Sequence, residues 1–355
     1  MKDIVFVVTA MGRGGAERVI SILSDDYAKR GFRVHIVMLW HNIVEYELNP
    51  NVHVVDLSCE KKSLPMNMLR LVGALRKLIK ELRPVAVVSF VAHNSVVTWL
   101  ARMGLKTRFV ASERIDPSST KRGSLLRAAI NAAYAGSTVT VQQTERALRY
   151  FPNRVQKKSV IIPNPVRVLA EADGSAKRIV TAGRLEPEKN QKMLIRAFAD
   201  VHRDHPDWRL DIYGEGRLRE ELQGLIDELH LTSCVGLPGV SPTLHEEIRD
   251  ASLFVLPSNS EGLSNALLEA MMMGLPCIST NCAGSDEAIV DGENGRLISV
   301  GDTDALARVL RELVEDPDRR TAIGRAAKES ADRYRVENVI AEWRKVIEGE
   351  EEVCR

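Results

Sequence analysis

No apolar run in these 355 residues approaches the roughly 18 that a membrane-spanning helix needs, so the chain is expected to be soluble. No cleavable apolar segment precedes the first apolar run, Ile4 to Val8, and a cytoplasmic location follows as an expectation. The five cysteines, Cys59, Cys234, Cys277, Cys282 and Cys354, are odd in number and lack paired CxxC spacing. They read as reduced packing residues, which excludes a disulfide framework and a cysteine-based metal site. Aromatic residues make up only 5% of the chain. Without a stacking platform, nucleic-acid binding is not expected. There is no GxxxxGK[ST] phosphate loop and no GxGxxG, and the acidic residue that a dinucleotide fold requires after its second strand is missing from Val37-Met-Leu-Trp-His41. A nicotinamide enzyme is thereby disfavoured.

What is present is length enough for two domains, 45% hydrophobic residues, and a charge asymmetry hidden by the net charge of +1. Divided at Pro163-Asn-Pro165, residues 1–165 hold 25 basic against 12 acidic side chains, and residues 166–355 hold 24 against 36. A basic half suits an anionic partner, a membrane surface or a diphosphate, or it pairs with the acidic half.

Short apolar runs rich in β-branched residues alternate with helical patterns through both halves. Ile4–Val8, Val34–Leu39, Val52–Val55, Val85–Phe90, Arg108–Ala111, Thr138–Val141 and Val160–Ile162 read as strands of a first parallel sheet. Arg178–Thr181, Leu210–Tyr213, Val235–Leu237, Leu253–Leu256 and Pro276–Ser279 read as strands of a second. The expected class is α/β, two doubly wound Rossmann-like domains facing across a cleft. Their expected bounds are 1–165 and 166–335, with a closing helical segment, 336–355, that carries Trp343 on its apolar side and packs back towards the first domain.

Leu64 to Arg83 is amphipathic and basic, with Met66, Met68, Leu69, Leu71, Val72, Leu75, Leu78, Ile79 and Leu82 interleaved by Arg70, Arg76, Lys77, Lys80 and Arg83. It reads as a core-packing helix with a solvated cationic face. With Lys121, Arg122, Arg127, Arg146, Arg149, Lys157 and Lys158 it also offers positive charge to anionic lipid.

Chemistry concentrates where strands end. In Pro257-Ser-Asn-Ser-Glu-Gly-Leu-Ser-Asn-Ala-Leu-Leu-Glu269, a strand gives way to a helix capped by Ser264, with Glu261 in the loop and Glu269 about two turns into the helix. Ser258 and the backbone N–H groups of Gly262, Leu263 and Ser264 share that space, a setting suited to phosphate. Ala182-Gly-Arg-Leu-Glu-Pro-Glu-Lys-Asn190 puts Gly183, Arg184 and Lys189 in one loop, two cations able to hold a diphosphate. Tyr213-Gly-Glu-Gly-Arg217 brings Gly214 to a further strand end. In the first half, Met11-Gly-Arg-Gly-Gly-Ala-Glu-Arg18 is a glycine turn before a helix, carrying Gly14, Gly15, Glu17 and Arg18. Taken singly, each of these features is also what an ordinary loop contains.

Together they resemble the retaining glycosyltransferases of the GT-B fold classed as family four. The resemblance runs over nearly the whole chain, through Gly-Gly-Ala-Glu-Arg18, Ile162-Pro-Asn-Pro-Val166, Gly183-Arg-Leu with Lys189-Asn, Tyr213-Gly-Glu-Gly, Glu261 and Glu269 at their eight-residue step, and Gly274-Leu-Pro-Cys-Ile. The opening turn is most similar to the subgroup that extends polyprenyl-diphosphate-linked glycans in bacteria. The resemblance implies that Arg184 and Lys189 neutralise a donor diphosphate without a metal, Glu269 accepts ribose hydroxyls, and Glu261 holds the donor sugar. It implies further that Gly14 and Gly15 close onto the donor with Glu17 and Arg18 beside them. Many relatives carry a histidine after Ser-Glu in one strand-end loop. This chain reads Ser112-Glu113-Arg114 there, and His93 stands at another strand end.

The expectation is therefore a retaining hexosyltransferase, moving a hexose or N-acetylhexosamine from a UDP-sugar to a lipid-linked glycan by front-face attack. It needs no cofactor or metal and sits peripherally at the inner face of the plasma membrane. A nucleotide-sugar-binding protein without transfer activity, a nucleotide-sugar epimerase and an α-glucan synthase are the alternatives on the same fold.

Overall fold

The computed structural model describes residues 1–12, 14–58, 64–118 and 122–350 and, in the helix that opens at Leu64, side chains from Asn67 onward. Cys59, Lys121 and Cys354, the side chain of Met66, and the last five residues of the closing segment lie outside the described residues. The chain divides into two compact units, Met1–Pro165 with Glu337–Arg355, and Val166–Val336.

The first unit is built on β1 (Asp3–Val8), β2 (Arg33–Met38), β3 (Val52–Asp56), β4 (Ala86–Phe90), β5 (Arg108–Ser112), β6 (Val139–Gln142) and β7 (Ser159–Ile161). They lie in the order β3-β2-β1-β4-β5-β6-β7, every neighbour parallel. Central strands of such a sheet are covered on both faces, so they need apolar residues without alternation. β1 and β4 meet this, being buried at every position.

The helix Leu64–Leu82 buries Leu71, Leu75 and Ile79 against β1, β2 and β4, with Met68, Val72, Leu78 and Leu82 partly covered. Arg70, Lys77 and Lys80 remain exposed on it, beside a Leu69 that is 76% exposed. Arg76 instead turns its guanidinium onto the carbonyls of Ala101 and Met103 at 2.9 and 2.6 Å. Core packing with a cationic outer face is what this stretch does.

The helix Val336–Glu348 contributes a fully buried Trp343, stacked on Phe90 with ring centroids 5.5 Å apart. Two ion pairs, Arg344 with Asp26 and Arg30 with Glu348, tie it to the helix Gly15–Lys29 and its C-cap.

The second unit repeats the plan with β8 (Arg178–Ala182), β9 (Arg209–Tyr213), β10 (Val235–Gly239), β11 (Leu253–Leu256), β12 (Cys277–Thr280) and β13 (Arg296–Ile298), in the order β10-β9-β8-β11-β12-β13 and again all parallel. β13 has no counterpart among the sequence-derived strands. It is a three-residue edge strand whose arginine bonds Asp291 and Glu312, too short and too polar to show as an apolar run. Cys234, Cys277 and Cys282 are buried free thiols, and burial pushes all three upward, the opposite of what a nucleophilic cysteine requires.

In each sheet the chain starts near the middle, builds outward to one side, then returns and builds to the other. The direction reverses between β1 and β4 in the first unit and between β8 and β11 in the second. Loops at the carboxyl ends of two such strands diverge and leave a crevice, the place where open α/β sheets take ligands. No helix among the described residues is long and apolar enough to cross a membrane.

Candidate active site

The switch point of the second unit gathers most of the residues singled out from the sequence. β8 leads into Gly183, Arg184 and a short turn, Pro187–Lys189. β11 leads into Pro257 to Ser264 and then the helix Asn265–Met272. Backbone and amide bonds stitch the two loops together. Asn259 N–H donates to Glu188 O at 2.8 Å, Asn259 Nδ2 to Pro187 O at 3.0 Å, and Asn190 Nδ2 to Asn259 Oδ1 at 3.0 Å.

Across this seam the Lys189 ammonium forms an ion pair with Glu261 Oε1, with both side chains largely buried. The same oxygen accepts from the fully buried Ser258 hydroxyl at 2.8 Å. The resemblance assigns Lys189 to a diphosphate and Glu261 to a donor sugar; the structure brings them together as partners. Arg184 differs from its loop-mate: its side chain is 74% exposed, with Glu188 3.9 Å away. One cation is thus built in and the other reaches into solvent.

Ser264 is the N-cap of the helix Asn265–Met272, its Oγ accepting from Leu267 N–H at 3.4 Å. Leu263 is buried and anchors the loop in the core, Ser264 is buried beside it, and Gly262 is partly exposed. Beneath lies a layer of hydroxyls that no motif singles out. Thr280 Oγ1 donates to Ser258 O at 2.5 Å, and Ser279 Oγ donates to Ser285 Oγ at 2.8 Å. Their signal is two small polar residues at the carboxyl end of a buried strand and a third, Ser285, at the start of the helix that follows.

Two glycines are required by the geometry. Gly214, at φ +134°, lies against the Gly183 carbonyl, and Gly284, at φ +85°, lies against the Gly262 carbonyl; a Cβ at either position would overlap backbone. Gly284→Ala is therefore expected to cost at least ~2 kcal/mol, from the left-handed conformation and a forced shift of the Gly262 turn. Urea denaturation reads the first effect and phosphate-ligand affinity the second. A variant matching wild type in both would show that the turn is not held from this side.

Glu269 sits below the capped turn, its carboxylate receiving His245 Nε2 at 3.0 Å. His245 belongs to the four-residue helix Leu244–Glu247, too short for a periodic pattern, and it escapes sequence reasoning. Among the described residues no cluster of three or more metal-binding side chains occurs.

The switch point of the first unit is also bridged by a hydrogen bond. Thr9, just past β1, and His93, just past β4, share one between Oγ1 and Nε2 at 3.0 Å. Asn94 is clamped by Trp40 Nε1 at 2.9 Å and donates to Thr9 Oγ1 and Phe90 O. Burial, and after it the charge of Arg122, depresses the His93 pKa and favours a neutral ring. Val91, which delivers this histidine, has φ +73°, a strained conformation for a β-branched residue.

Gly14 is the N-cap of the helix Gly15–Lys29 and its carbonyl accepts from Tyr46 Oη at 3.1 Å. Burial raises the pKa of Glu17 in the first turn of that helix, and Arg18 follows it, partly exposed.

Glu113 and Arg114 point inward. Glu113 is completely buried and receives Arg122 at 3.0 Å and Tyr134 Oη at 3.2 Å; burial is the main force raising its pKa. The Arg114 guanidinium lies 5.1 Å from the Trp343 ring and 5.6 Å from Phe90, and donates to Ile162 O at 3.2 Å. The pair holds the interior of its unit together and does not present charge to the crevice.

Comparison with known proteins agrees with this arrangement. Residues 13–168 match the family Glycosyltransferase Family 4, and residues 169–330 match Glycosyl transferases group 1. The chain is 28% identical to the Campylobacter jejuni N-acetylgalactosamine-N,N'-diacetylbacillosaminyl-diphospho-undecaprenol 4-alpha-N-acetylgalactosaminyltransferase, over 93% of this chain and 95% of that one. It is 25% identical to an uncharacterized glycosyltransferase of Haemophilus influenzae, over 98% and 100%. Among solved structures, Anabaena HepE in complex with UDP superposes with a TM-score of 0.84 at 17% identity, covering 98% of this chain and all of that one. The lipopolysaccharide outer core galactosyltransferase WaaB, in apo form, gives 0.81 at 19%, covering 99% and 100%. At such identities the likeness speaks for the fold alone, and the fold is GT-B.

Proposed function

We propose, from the premise that the chain is a glycosyltransferase carrying family 4 and group 1 domains in tandem, that it moves a hexose or N-acetylhexosamine from a UDP-sugar to a lipid-linked glycan with retention of configuration. One observation carries this reading: a lysine and a glutamate meet beside a capped helix at the switch point of the second unit. Such a site offers positive charge and backbone N–H groups to a diphosphate and a carboxylate to sugar hydroxyls.

In this reading Arg184 and Lys189 stabilise the departing diphosphate, the task a divalent ion performs in metal-dependent enzymes. The turn Gly262–Ser264 supplies N–H groups to phosphate, Glu261 takes the donor sugar, and Glu269 takes the ribose. Gly183, Gly214 and Ser258 shape the floor. The acceptor hydroxyl oxygen bonds to the anomeric carbon on the face that the β-phosphate oxygen is leaving. Its proton passes to that phosphate oxygen, and the products are UDP and an α-glycoside. No protein nucleophile is required.

The acceptor belongs, on this proposal, to the basic first unit. The diphospho-undecaprenol-linked saccharides on which Campylobacter jejuni relatives act support such an acceptor. We extend the proposal to an anionic membrane surface at the inner leaflet, met through exposed basic residues such as Arg70, Lys77, Lys80 and Arg127.

The test is transfer from UDP-glucose, UDP-galactose and their N-acetyl forms to a polyprenyl-diphosphate-linked saccharide, with the product's anomeric coupling read by NMR. The expected result is an α-linked product at a rate unchanged by EDTA. An inverted product or a metal requirement would refute those parts of the mechanism. UDP binding without transfer would favour the binding-protein reading, and turnover of the UDP-sugar without acceptor would favour an epimerase.

A further inference from the structure

His245 has no part in the chemistry above, yet its imidazole meets the buried Glu269 carboxylate, Nε2 to Oε2 at 3.0 Å. A carboxylate only accepts hydrogen bonds, so Nε2 carries the proton and donates it. The two side chains differ in setting. Glu269 is 11% exposed and sits in the second turn of the helix Asn265–Met272, below the turn that caps it. His245 is 35% exposed and lines a cavity of about 650 Å³ whose apolar wall includes Val168, Leu169 and Pro242. The imidazole therefore has one edge on the carboxylate and another on open space.

We infer that His245 is a positioning residue that sets the Glu269 carboxylate for the vicinal diol of a ribose, and so decides how strongly the site prefers a ribonucleotide. The inference rests on the donor-nucleotide reading of this site. A glutamate side chain loses several rotamers when it binds a ligand, and one that is already tethered has lost part of that freedom beforehand. The bond from Nε2 also occupies one carboxylate oxygen and orients the other, which a diol needs if both hydroxyls are to donate to a single group. Hydrogen bonds to a charged group discriminate strongly, by about tenfold or more in affinity. A tether that controls their geometry governs much of that factor.

The experiment is calorimetric titration of UDP, 2′-deoxy-UDP and 3′-deoxy-UDP into wild type, His245→Ala, His245→Gln and Glu269→Gln, and of GDP, ADP and CDP into wild type, with melting curves as a check on folding. Wild type is expected to bind UDP about tenfold more tightly than either deoxy form. His245→Ala should shrink that ratio to about threefold or less while leaving deoxy-UDP affinity unchanged. His245→Gln, whose amide N–H can still donate to the carboxylate, should recover most of the ratio, and Glu269→Gln should lose it.

A merely structural histidine would weaken all three ligands together, and that result overturns the inference. So does an undiminished ratio in His245→Ala. A wild-type ratio near one overturns the diol contact itself. If wild type binds UDP, GDP, ADP and CDP not at all, the donor-site reading falls, and this inference falls with it.

Discussion

Lys189→Ala is expected to lower kcat/KM for sugar transfer by about 10²- to 10³-fold and the melting temperature by about 2–4 °C, and Arg184→Ala to give a comparable kinetic loss at an unchanged melting temperature. The kinetic size is that of removing one preorganised group from a site of developing charge. The difference in stability follows from burial. Lys189 and Glu261 are both largely covered, so deleting the lysine leaves a carboxylate with Ser258 but without its cation. Full loss of a buried partner costs more, but partial solvent access reduces it here to about 1 kcal/mol. The exposed Arg184 side chain has no such obligation to the fold.

Glu261→Gln should separate the two roles further. On the proposed donor site, the resting pair makes an incoming diphosphate compete with Glu261 for the lysine. Glutamine removes that competitor and is expected to bind UDP at least as tightly as wild type while transferring sugar about 10²-fold more slowly. Titration calorimetry and initial rates check the two halves. A Lys189→Ala or Arg184→Ala variant with wild-type rates would remove the diphosphate role, and a Glu261→Gln variant that loses UDP affinity would remove the competition.

The two parallel sheets were legible because their strands are short β-branched runs separated by amphipathic helices, and central strands such as β1 and β4 are apolar throughout. The strand-end loops were legible for a related reason: glycine and charge cluster where apolar runs stop. Pairing was not legible. Lys189 and Glu261 are far apart in sequence, and only the adjacency of β8 and β11, a consequence of strand order, joins them. His245 was invisible because a four-residue helix has no periodicity and its partner lies on another element. Direction was also hidden. Glu113 and Arg114 follow a strand end as faithfully as Glu261 does, but their surroundings, Tyr134, Phe90 and Trp343, come from elements that the local sequence does not name.

That inward direction makes the second large effect one of stability. Arg114→Ala is expected to cost about 3–5 kcal/mol, a fall of roughly 6–20 °C in the melting temperature of the first unit. The guanidinium packs against both Phe90 and Trp343, which themselves stack, and bonds Ile162 O and Asn164 Oδ1, the latter at 3.4 Å. Alanine leaves a cavity beside a fully buried tryptophan and deprives the buried Glu113 of a neighbouring positive charge. Burial pulls the Arg114 pKa down, the mark of a charge held at a desolvation cost. Arg114→Met, which fills the space without charge, should therefore lose much less than alanine, because a well-packed hydrophobe often replaces a buried ion at little cost. Transfer activity per folded molecule, measured well below the transition, should stay within about threefold of wild type in both variants, since the charge is buried among Phe90, Trp343 and Glu113. An Arg114→Met protein that melts like wild type but has lost transfer would reverse the assignment and return this arginine to the crevice.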